Sequence, residues 1–400
     1  MVSLRSANKA SNANSSSTIQ RTASTSKSTS RKRALFTADE NATSAVTPRS
    51  KQAKTVPSQD LLSFPPLEVE GIALACGQGD TGQLGLGETV TERKRFQPIK
   101  ITEKFVQIVC GGMHTISLTL KGDVYTFGCN DESALGRKTE EEEENFAPTI
   151  VEIPTLNRIV QISAGDSHSA ALDTSGSVFI WGIFRDSQGT LGLSTDIMEH
   201  CVKPLKLTNI SDIVKISSGF NHLTMLSGMG EVYSVGAAEQ GELGRVSKYQ
   251  SVKGGRRGLS NVLEPGMVYF ARKQKITDIW SFGYNSFFLS AKNDLYACGL
   301  NNYGQTGTAV NSNNIFAPIK VKSFKDMEVV QVCGGDHHTL FLTKQGYVYA
   351  AGRGDFGRLG VGYEPKDPEY ISEPELLSNI KDVKSIAAGT CVSFGITASI

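Results

Sequence analysis

Residues 77–85 read Gly-Gln-Gly-Asp-Thr-Gly-Gln-Leu-Gly, and this corner decides the fold because the chain repeats it. Related corners begin at glycines 128, 182, 236, 299 and 352, at intervals of 51, 54, 54, 63 and 53 residues. A second landmark is an apolar run that ends in Gly-x-x-His or a variant, and it begins at glycines 111, 165, 219, 283, 335 and 389. Two landmarks that recur in order about every 50 residues indicate a repeat protein.

Between the landmarks, apolar residues alternate with polar ones, which is the period of a β-strand. One unit predicts strands at 105–109, 114–120, 123–127 and 149–153, with a tight turn at Lys121-Gly122. Four short strands per unit, six times over, are typical of propeller blades. A single blade cannot bury both of its faces, so neighbouring blades should stack around a central axis. We therefore predict an all-β protein, a β-propeller.

Charge is distributed unevenly along the 400 residues, although the net charge is only +1. Residues 1–60 hold 10 Lys/Arg and 3 Asp/Glu, a local charge of +7, whereas the rest holds 31 basic and 37 acidic residues, or −6. The first segment is rich in Ser, Thr and Asn and has almost no large apolar residues, so it cannot offset the entropy of ordering. We expect a disordered basic tail over 1–64, which seeks a polyanion, and a propeller over 65–400.

The tail contains two basic clusters, separated by a linker, that resemble a bipartite nuclear import signal. The interpretation is either binding to a nuclear import receptor or contact with DNA, and both are favoured over a solvated tail without a partner. The clusters are Arg31, Lys32 and Arg33, and then Arg49, Lys51 and Lys54.

Seven cysteines, an odd number with no Cys-x-x-Cys pair, indicate reduced thiols rather than a disulfide framework or a zinc site. No apolar stretch approaches the roughly 20 residues that span a bilayer, and the first residues lack the apolar run of a signal peptide. We expect a soluble intracellular protein with no membrane partner, no metal and no cofactor.

The corner motif, together with the strand start Ala-Gly-Asp-Ser-His at 164–168, resembles the regulator of chromosome condensation repeat. The likeness covers residues 70–397, and both landmarks recur in register. The family has seven repeats, whereas this chain has six copies of each landmark. The resemblance therefore leaves two interpretations, of which we expect the first. Either the seventh repeat is lacking, or the ring closes with six units as the strand pair near 72–104 completes the pair near 383–396.

The resemblance implies guanine-nucleotide exchange on the small nuclear GTPase Ran by a chromatin-bound nuclear protein that makes and breaks no covalent bond. A stretch within the third corner resembles the wedge hairpin that the family inserts into Ran, and it comprises Phe184, Arg185, Asp186, Ser187, Gln188 and Gly189. Residues 254–259, in the one oversized interval, resemble the chromatin-facing loop. Its basic residues Lys253, Arg256 and Arg257 would dock on the acidic patch of the histones in a nucleosome, unless they form an ordinary solvated loop.

Comparison between the repeats separates architecture from function. Four copies carry histidine in the same slot, at His114, His168, His222 and His338, which indicates a structural hydrogen bond to a neighbouring loop. The slots just before it vary and, by family analogy, would line the entrance that faces Ran. The candidate contacts are Asp166, Asn221 and His337, joined by the corner residues Asp80 and Arg245. At 221 the family pattern leads us to expect Asp, and Asn keeps the hydrogen-bonding capacity while losing the charge.

Two other functions compete with nucleotide exchange. A bond-making enzyme is disfavoured, because no Gly-x-Ser-x-Gly nucleophile motif and no Walker-type phosphate loop occurs. A chromatin-binding scaffold with weak or no exchange activity remains the alternative, supported by Asn221 and by the six repeats. The default expectation for the oligomeric state is a monomer.

Overall fold

The computed structural model describes residues 62–67, 70–99, 101–253, 258–271, 273–324, 327–363, 365–366 and 369–397. Throughout this part of the chain, the regular structure is antiparallel β-sheet with two short α-helices and single turns of 3-10 helix. Five sheets have four strands each, and we number them blades 1 to 5 in chain order. This confirms the predicted all-β propeller with about four strands per repeat.

Each blade follows the chain from its first strand to its fourth. Blade 1 is β3 (Gln107–Cys110), β4 (His114–Leu118), β5 (Val124–Gly128) and β6 (Thr149–Ile150). Blade 2 is β7 (Ile159–Ala164), β8 (His168–Asp173), β9 (Val178–Gly182) and β12 (Cys201–Lys206), with an inserted hairpin of β10 (Phe184–Asp186) and β11 (Gly189–Gly192). Blade 3 is β13 (Ile213–Ser218), β14 (His222–Ser227), β15 (Val232–Gly236) and β16 (Gly266–Met267), with α1 (Lys248–Lys253) and α2 (Ser260–Leu263) inserted before its fourth strand.

The remaining strands form two further blades and two separate pairs. Blade 4 is β17 (Ile276–Phe282), β18 (Asn285–Ser290), β19 (Leu295–Leu300) and β20 (Asn314–Lys320). Blade 5 is β21 (Val329–Gly334), β22 (His338–Thr343), β23 (Val348–Arg353) and β24 (Tyr370–Leu376). The separate pairs are β1 (Leu74–Gln78) with β2 (Glu92–Pro98), and β25 (Val383–Ala388) with β26 (Ser393–Thr397).

The two sequence landmarks meet within each blade. His168 at the start of β8 is paired with Gly182 at the end of β9, and His222 is paired with Gly236 in the same way. The other blades repeat this register at His114 with Gly128, Asn285 with Gly299, and His338 with Gly352. Both landmarks therefore lie at one end of the strands, and this end forms one face of the propeller.

Neighbouring blades are joined by paired hydrogen bonds from glutamine side chains. The Gln161 amide donates to the carbonyl of Ile216 at 3.0 Å, and its oxygen accepts from the Ile216 backbone N–H at 2.8 Å. Gln107 makes the same two bonds to Ile162, and Gln331 makes them to Ile386. The first strands of blades 1, 2 and 5 thereby extend their hydrogen bonding into the next repeat, which a repeat protein needs because its units are stable only when stacked.

The repeated histidines also join one repeat to the next, which agrees with the predicted structural role. His114 Nε2 lies 2.9 Å from Ser169 Oγ in the following blade, and Ser169 Oγ donates to the Ala134 carbonyl at 2.9 Å. The imidazole must therefore be the donor to the hydroxyl. His222 with Ser286 and His338 with Ser393 form the same chain to a carbonyl. Burial lowers the pKa of His114 to about 4 and that of His222 to about 3, so both rings are neutral at pH 7.

Glycine is required where successive blades approach around the axis. A Cβ on Gly165 would lie 2.5 Å from the Gly219 carbonyl oxygen, and a Cβ on Gly219 would lie 2.7 Å from that of Gly283. Any side chain at these points would push the blades apart. These glycines also line a central channel of about 630 Å³, together with the other loops between the first and second strands of the blades.

The two separate strand pairs do not join each other in the part of the chain that the structure describes. β1 pairs with β2 and β25 pairs with β26, and neither sheet acquires further strands there. Phe394 and Ile396 on β26 are 65% and 66% exposed, whereas the matching Ala170 and Leu172 of blade 2 are fully buried. The six-unit closure, in which the first pair would complete the last, is therefore not formed among the described residues.

Residues 62–67 lie against the opposite face of the propeller. The Leu62 N–H donates to the Gly228 carbonyl at 3.0 Å, and Phe64 packs against the apolar cores of blades 2, 3 and 4. The packed chain therefore includes Leu62 and Phe64, which the expected boundary at 64/65 assigned to the tail. No helix in the described residues is long and apolar enough to span a membrane.

Candidate functional site

The predicted hairpin is present, and it stands on the face that carries both landmarks. Phe184, its first residue, is fully buried, with its ring centroid 4.7 Å from that of His168. Asp186 Oδ1 accepts a hydrogen bond from the Gln188 N–H at 2.8 Å and so shapes the turn. Gly189 follows with φ of 110°, a conformation that favours glycine. Arg185, Ser187 and Gln188 are left exposed at the tip.

Side chains of the two flanking repeats hold the hairpin. Asn221 Oδ1, from blade 3, accepts from the Arg185 backbone N–H at 2.9 Å. Glu132, from the corner of blade 1, forms an ion pair with the Arg185 guanidinium. The Glu239 carboxylate, from the corner of blade 3, accepts from the Ser187 N–H at 2.8 Å and from its hydroxyl at 2.7 Å. Sequence reasoning found Asn221 but missed Glu132 and Glu239.

Asp166 lies beside the hairpin at the mouth of the central channel. Burial raises the pKa of its carboxyl, the Arg185 guanidinium opposes that rise, and Asp336 across the channel adds to it. Asp336 also lines the channel and was not predicted. The mouth therefore combines two acidic side chains from different blades with the base of the hairpin.

Aromatic residues complete the rim of the channel. Phe220 and Tyr284 meet edge to face with centroids 5.2 Å apart. His337 packs against Tyr303 at 5.0 Å, and burial is the main factor that lowers the pKa of this histidine. Arg353 lies over the Tyr303 ring at 5.0 Å. Of these residues, sequence reasoning identified only His337. It missed Tyr303, which comes from the neighbouring repeat.

The two corner residues behave differently. Asp80 is exposed and accepts a hydrogen bond from the Gln78 amide. Arg245 instead donates to the carbonyls of Ser234, Asn261 and Glu264, which fixes the insertion of blade 3. Burial lowers the pKa of Arg245 to about 10. Asp166 thus lines the channel, Asn221 contacts the hairpin, and His337 directly follows the channel-lining Asp336. The Arg245 guanidinium is instead occupied by hydrogen bonds within its own repeat.

Most of the predicted chromatin-binding residues lie outside the described residues. Lys253 is the last residue of α1, and Arg256 and Arg257 follow within the undescribed stretch 254–257. The import-signal residues Arg31, Lys32, Arg33, Arg49, Lys51 and Lys54 also lie outside the described ranges. Within those ranges, no group of three or more His, Cys, Asp or Glu side chains is arranged to hold a metal ion.

Comparison with known proteins gives a consistent result. Residues 72–399 match the model of the RCC1-like domain. The chain is 39% identical to the regulator of chromosome condensation of Xenopus laevis over 373 residues, which is 92% of this chain and 85% of that protein. It is 29% identical to the guanine nucleotide exchange factor SRM1 of Saccharomyces cerevisiae, with 81% of this chain and 75% of SRM1 covered.

Solved structures of a yeast relative share the fold and part of the sequence. Prp20p of Saccharomyces cerevisiae, which was studied for its binding properties to Gsp1p and histones, superposes with a TM-score of 0.73 at 29% identity over 84% of this chain and 80% of its own. Yeast RCC1 (Prp20) bound to Kap60 superposes with a TM-score of 0.74 at 28% identity over 89% of this chain and 84% of its own.

Proposed function

The chain belongs to the regulator of chromosome condensation family of RCC1-like domains, and on that premise we propose that it is a guanine-nucleotide exchange factor for the small GTPase Ran. A relative with exchange activity in its name, SRM1, aligns over most of both chains. The family match covers residues 72–399, which include every described strand, so the proposal rests on the propeller face and not on a single motif.

The observation that carries the proposal is the buttressed hairpin beside an acidic and aromatic channel mouth. An exchange factor accelerates nucleotide release by binding the nucleotide-free GTPase more tightly than the loaded form. This requires a wide rigid platform and a projection that disturbs the phosphate-binding region. The propeller face supplies the platform, and the hairpin, anchored by buried Phe184 and by both flanking repeats, supplies the projection.

We assign contact with the GTPase to the hairpin residues and also to Asp166, Asn221 and His337. Exposed Asp80 is assigned a contact at the edge of the same face. Arg245 is assigned to supporting the insertion of blade 3, since its donors are used within the chain. Function by this mechanism involves no covalent chemistry, which fits the exchange factors among the relatives.

We further propose that the protein acts in the nucleus on chromatin as a monomer. The +7 charge of residues 1–60 favours DNA and a nuclear import receptor, and Lys253, Arg256 and Arg257 favour the histone acidic patch. The binding of yeast Prp20p to histones and to Kap60 supports these partners by analogy.

The test is release of a fluorescent guanine nucleotide from purified Ran by catalytic amounts of this chain. We expect acceleration well above the spontaneous rate, and a loss of about tenfold or more in Asp186→Ala and in His337→Ala. Glu231→Ala, an exposed acid at the opposite ends of the strands, is the matched control and should keep full activity. If the folded wild type gives no acceleration, exchange is excluded and the chromatin-binding scaffold becomes the function to test.

A further inference from the structure

The hairpin needs support from outside because it is small. β10 has three residues and β11 has four, and they pair only with each other. A two-stranded hairpin by itself is marginally stable in water. Its buried anchor, Phe184, lies at the base, so Phe184 does not restrain the exposed tip at Ser187. A projection that must displace part of a partner has to resist bending at the point of contact.

Glu239 is placed to supply that resistance. Its two carboxylate oxygens accept separately from the Ser187 N–H and the Ser187 hydroxyl, at 2.8 and 2.7 Å. Hydrogen bonds to an ionised acceptor are stronger than neutral ones, and two of them fix orientation as well as distance. The next blade steadies the base of this contact, since the Asn314 amide donates to Gln240 Oε1 at 2.5 Å and, more weakly, to the Glu239 carbonyl at 3.4 Å.

The other corners show what is particular about position 239. Counting from the first glycine of each corner, the same position holds the shorter Asp or Asn in four other corners and arginine in the corner that forms the hairpin. Asp355 in this slot pairs with Arg353 and Arg358 of its own corner, and Asp80 accepts from its neighbour Gln78. Only beside the hairpin is the slot filled by Glu, whose additional methylene lets the carboxylate reach a different repeat. The remaining members of this position are Asp131, Asn302 and, within the hairpin itself, Arg185.

We propose that Glu239 is a positioning residue of the exchange reaction, which holds the hairpin tip through Ser187 so that the hairpin is rigid when it meets the GTPase. This rests on the proposed exchange function. Glu239 does not have to touch the GTPase or the nucleotide in this role. Loss of the Glu239–Ser187 contact should slow nucleotide release more than it weakens the initial binding of the GTPase. The reason is that a flexible tip would bend instead of displacing part of the GTPase.

The experiment compares Glu239→Asp, which keeps the charge and shortens the reach, with Glu239→Gln, which keeps the reach and loses the charge. We expect Glu239→Asp to lower the maximal exchange rate on Ran about tenfold, with KM within about twofold and an unchanged Tm. Glu239→Gln should fall between it and the wild type, since one neutral oxygen still reaches Ser187. Glu231→Asp makes the same shortening on the opposite face of the same repeat and should leave exchange unchanged.

A second measurement reports the contact directly. The Ser187 amide should exchange its hydrogen faster in Glu239→Asp than in the wild type, while amides of β8 keep their protection. Ser187→Ala should make the effect of Glu239→Asp on the rate smaller, because the two residues act through one contact. An active wild type whose Glu239→Asp variant keeps the full rate, or keeps Ser187 protected, would overturn the proposal. A folded but inactive wild type would instead refute the exchange function itself.

Discussion

At the scale of single residues, Asn221 supports the hairpin although it lacks the charge of the Asp that the family pattern predicts. Its side-chain oxygen accepts from the Arg185 backbone N–H at 2.9 Å, which is a contact that Asp could make equally well. The substitution relative to the family pattern therefore preserves support of the hairpin. What it removes is a negative charge at a channel mouth that already contains Asp166 and Asp336.

This separation gives a prediction for position 221. Asn221→Asp should restore the charge and speed exchange on Ran, with an advantage that shrinks at high salt because salt screens exposed charges. Asn221→Ala should slow exchange about tenfold, since the Arg185 N–H loses its acceptor. Nucleotide release measured at low and at high ionic strength checks both. A slower Asn221→Asp would contradict a basic contact on the GTPase at this position.

Glu242 is a second residue with a testable consequence. It is 2% exposed, and burial is the main factor that raises its pKa from 4.5 to about 7, with Glu239 adding to the rise. Two of the matching positions, in the first and fifth corners, hold the neutral side chains of Gln83 and Gln305. A carboxyl whose pKa is raised by folding stabilises the fold below its unfolded pKa of 4.5, and that contribution is lost as pH rises through about 7.

Glu242→Gln should therefore be more stable than the wild type at pH 8, by on the order of 3 kcal/mol, and the difference should shrink toward pH 5. The buried histidines cause the opposite trend: because burial lowers their pKa, their contribution to the stability of the fold is lost as pH falls below 6.5. Both proteins share this trend, so it cancels when their free energies of unfolding are subtracted. Denaturation midpoints from pH 5 to pH 8 measure it. Gln305→Glu places a carboxyl in the same slot of blade 4 and should acquire the wild-type trend. A difference that is flat across this range would refute the account.

At the scale of elements, the glutamine bonds between first strands decide how firmly the blades hold together. Gln161→Ala would leave the Ile216 N–H and carbonyl without these partners, so we expect a loss of about 2 kcal/mol in the free energy of unfolding. Gln161→Glu should be no better, because a carboxylate repels the Ile216 carbonyl. Gln97→Ala, an exposed glutamine on β2, is the control. Equal denaturation midpoints for Gln161→Ala and Gln97→Ala would show that these bonds add nothing.

The histidine that starts the second strand of blades 1, 2, 3 and 5 shows how an element couples to its neighbours. Its ring reaches a serine of the next blade, and that serine in turn bonds a carbonyl of the corner before it. One side chain thus joins two blades and a loop, which explains its return in successive repeats. In blade 4 Asn285 takes the place of the histidine, and its amide donates instead to the Leu300 carbonyl within its own blade. Ser286, the next residue, is the serine that His222 of blade 3 contacts.

At the scale of the whole molecule, the distribution of charge separates two activities. Residues 1–60 carry +7 and the remainder carries −6, so nonspecific binding to DNA should belong to the tail and exchange to the propeller face. Deleting residues 1–60 should leave nucleotide release from free Ran within about twofold. It should weaken DNA binding strongly and reduce the dependence of that binding on salt, because fewer phosphates are neutralised.

Filter binding to a DNA duplex over a range of salt concentrations, with exchange measured on the same samples, tests this division. A variant in which Arg31, Lys32 and Arg33 are replaced by Ala provides a smaller change in the same direction. If the deleted protein binds DNA as tightly and with the same salt slope, the binding surface lies on the propeller instead of the tail.

The hairpin was placed by resemblance to a known family, whereas the sequence by itself determined the repeat, the four-stranded blades and the positions that vary between repeats. It could do so because alternation of apolar residues and recurring glycines are local properties, visible at a fixed spacing. Tertiary structure alone decided which side chains from different repeats meet. Glu239 contacts a residue 52 positions earlier, and Arg245 turns inward to three carbonyls. Such contacts depend on how adjacent blades are placed around the axis, and no spacing along a single repeat records that placement.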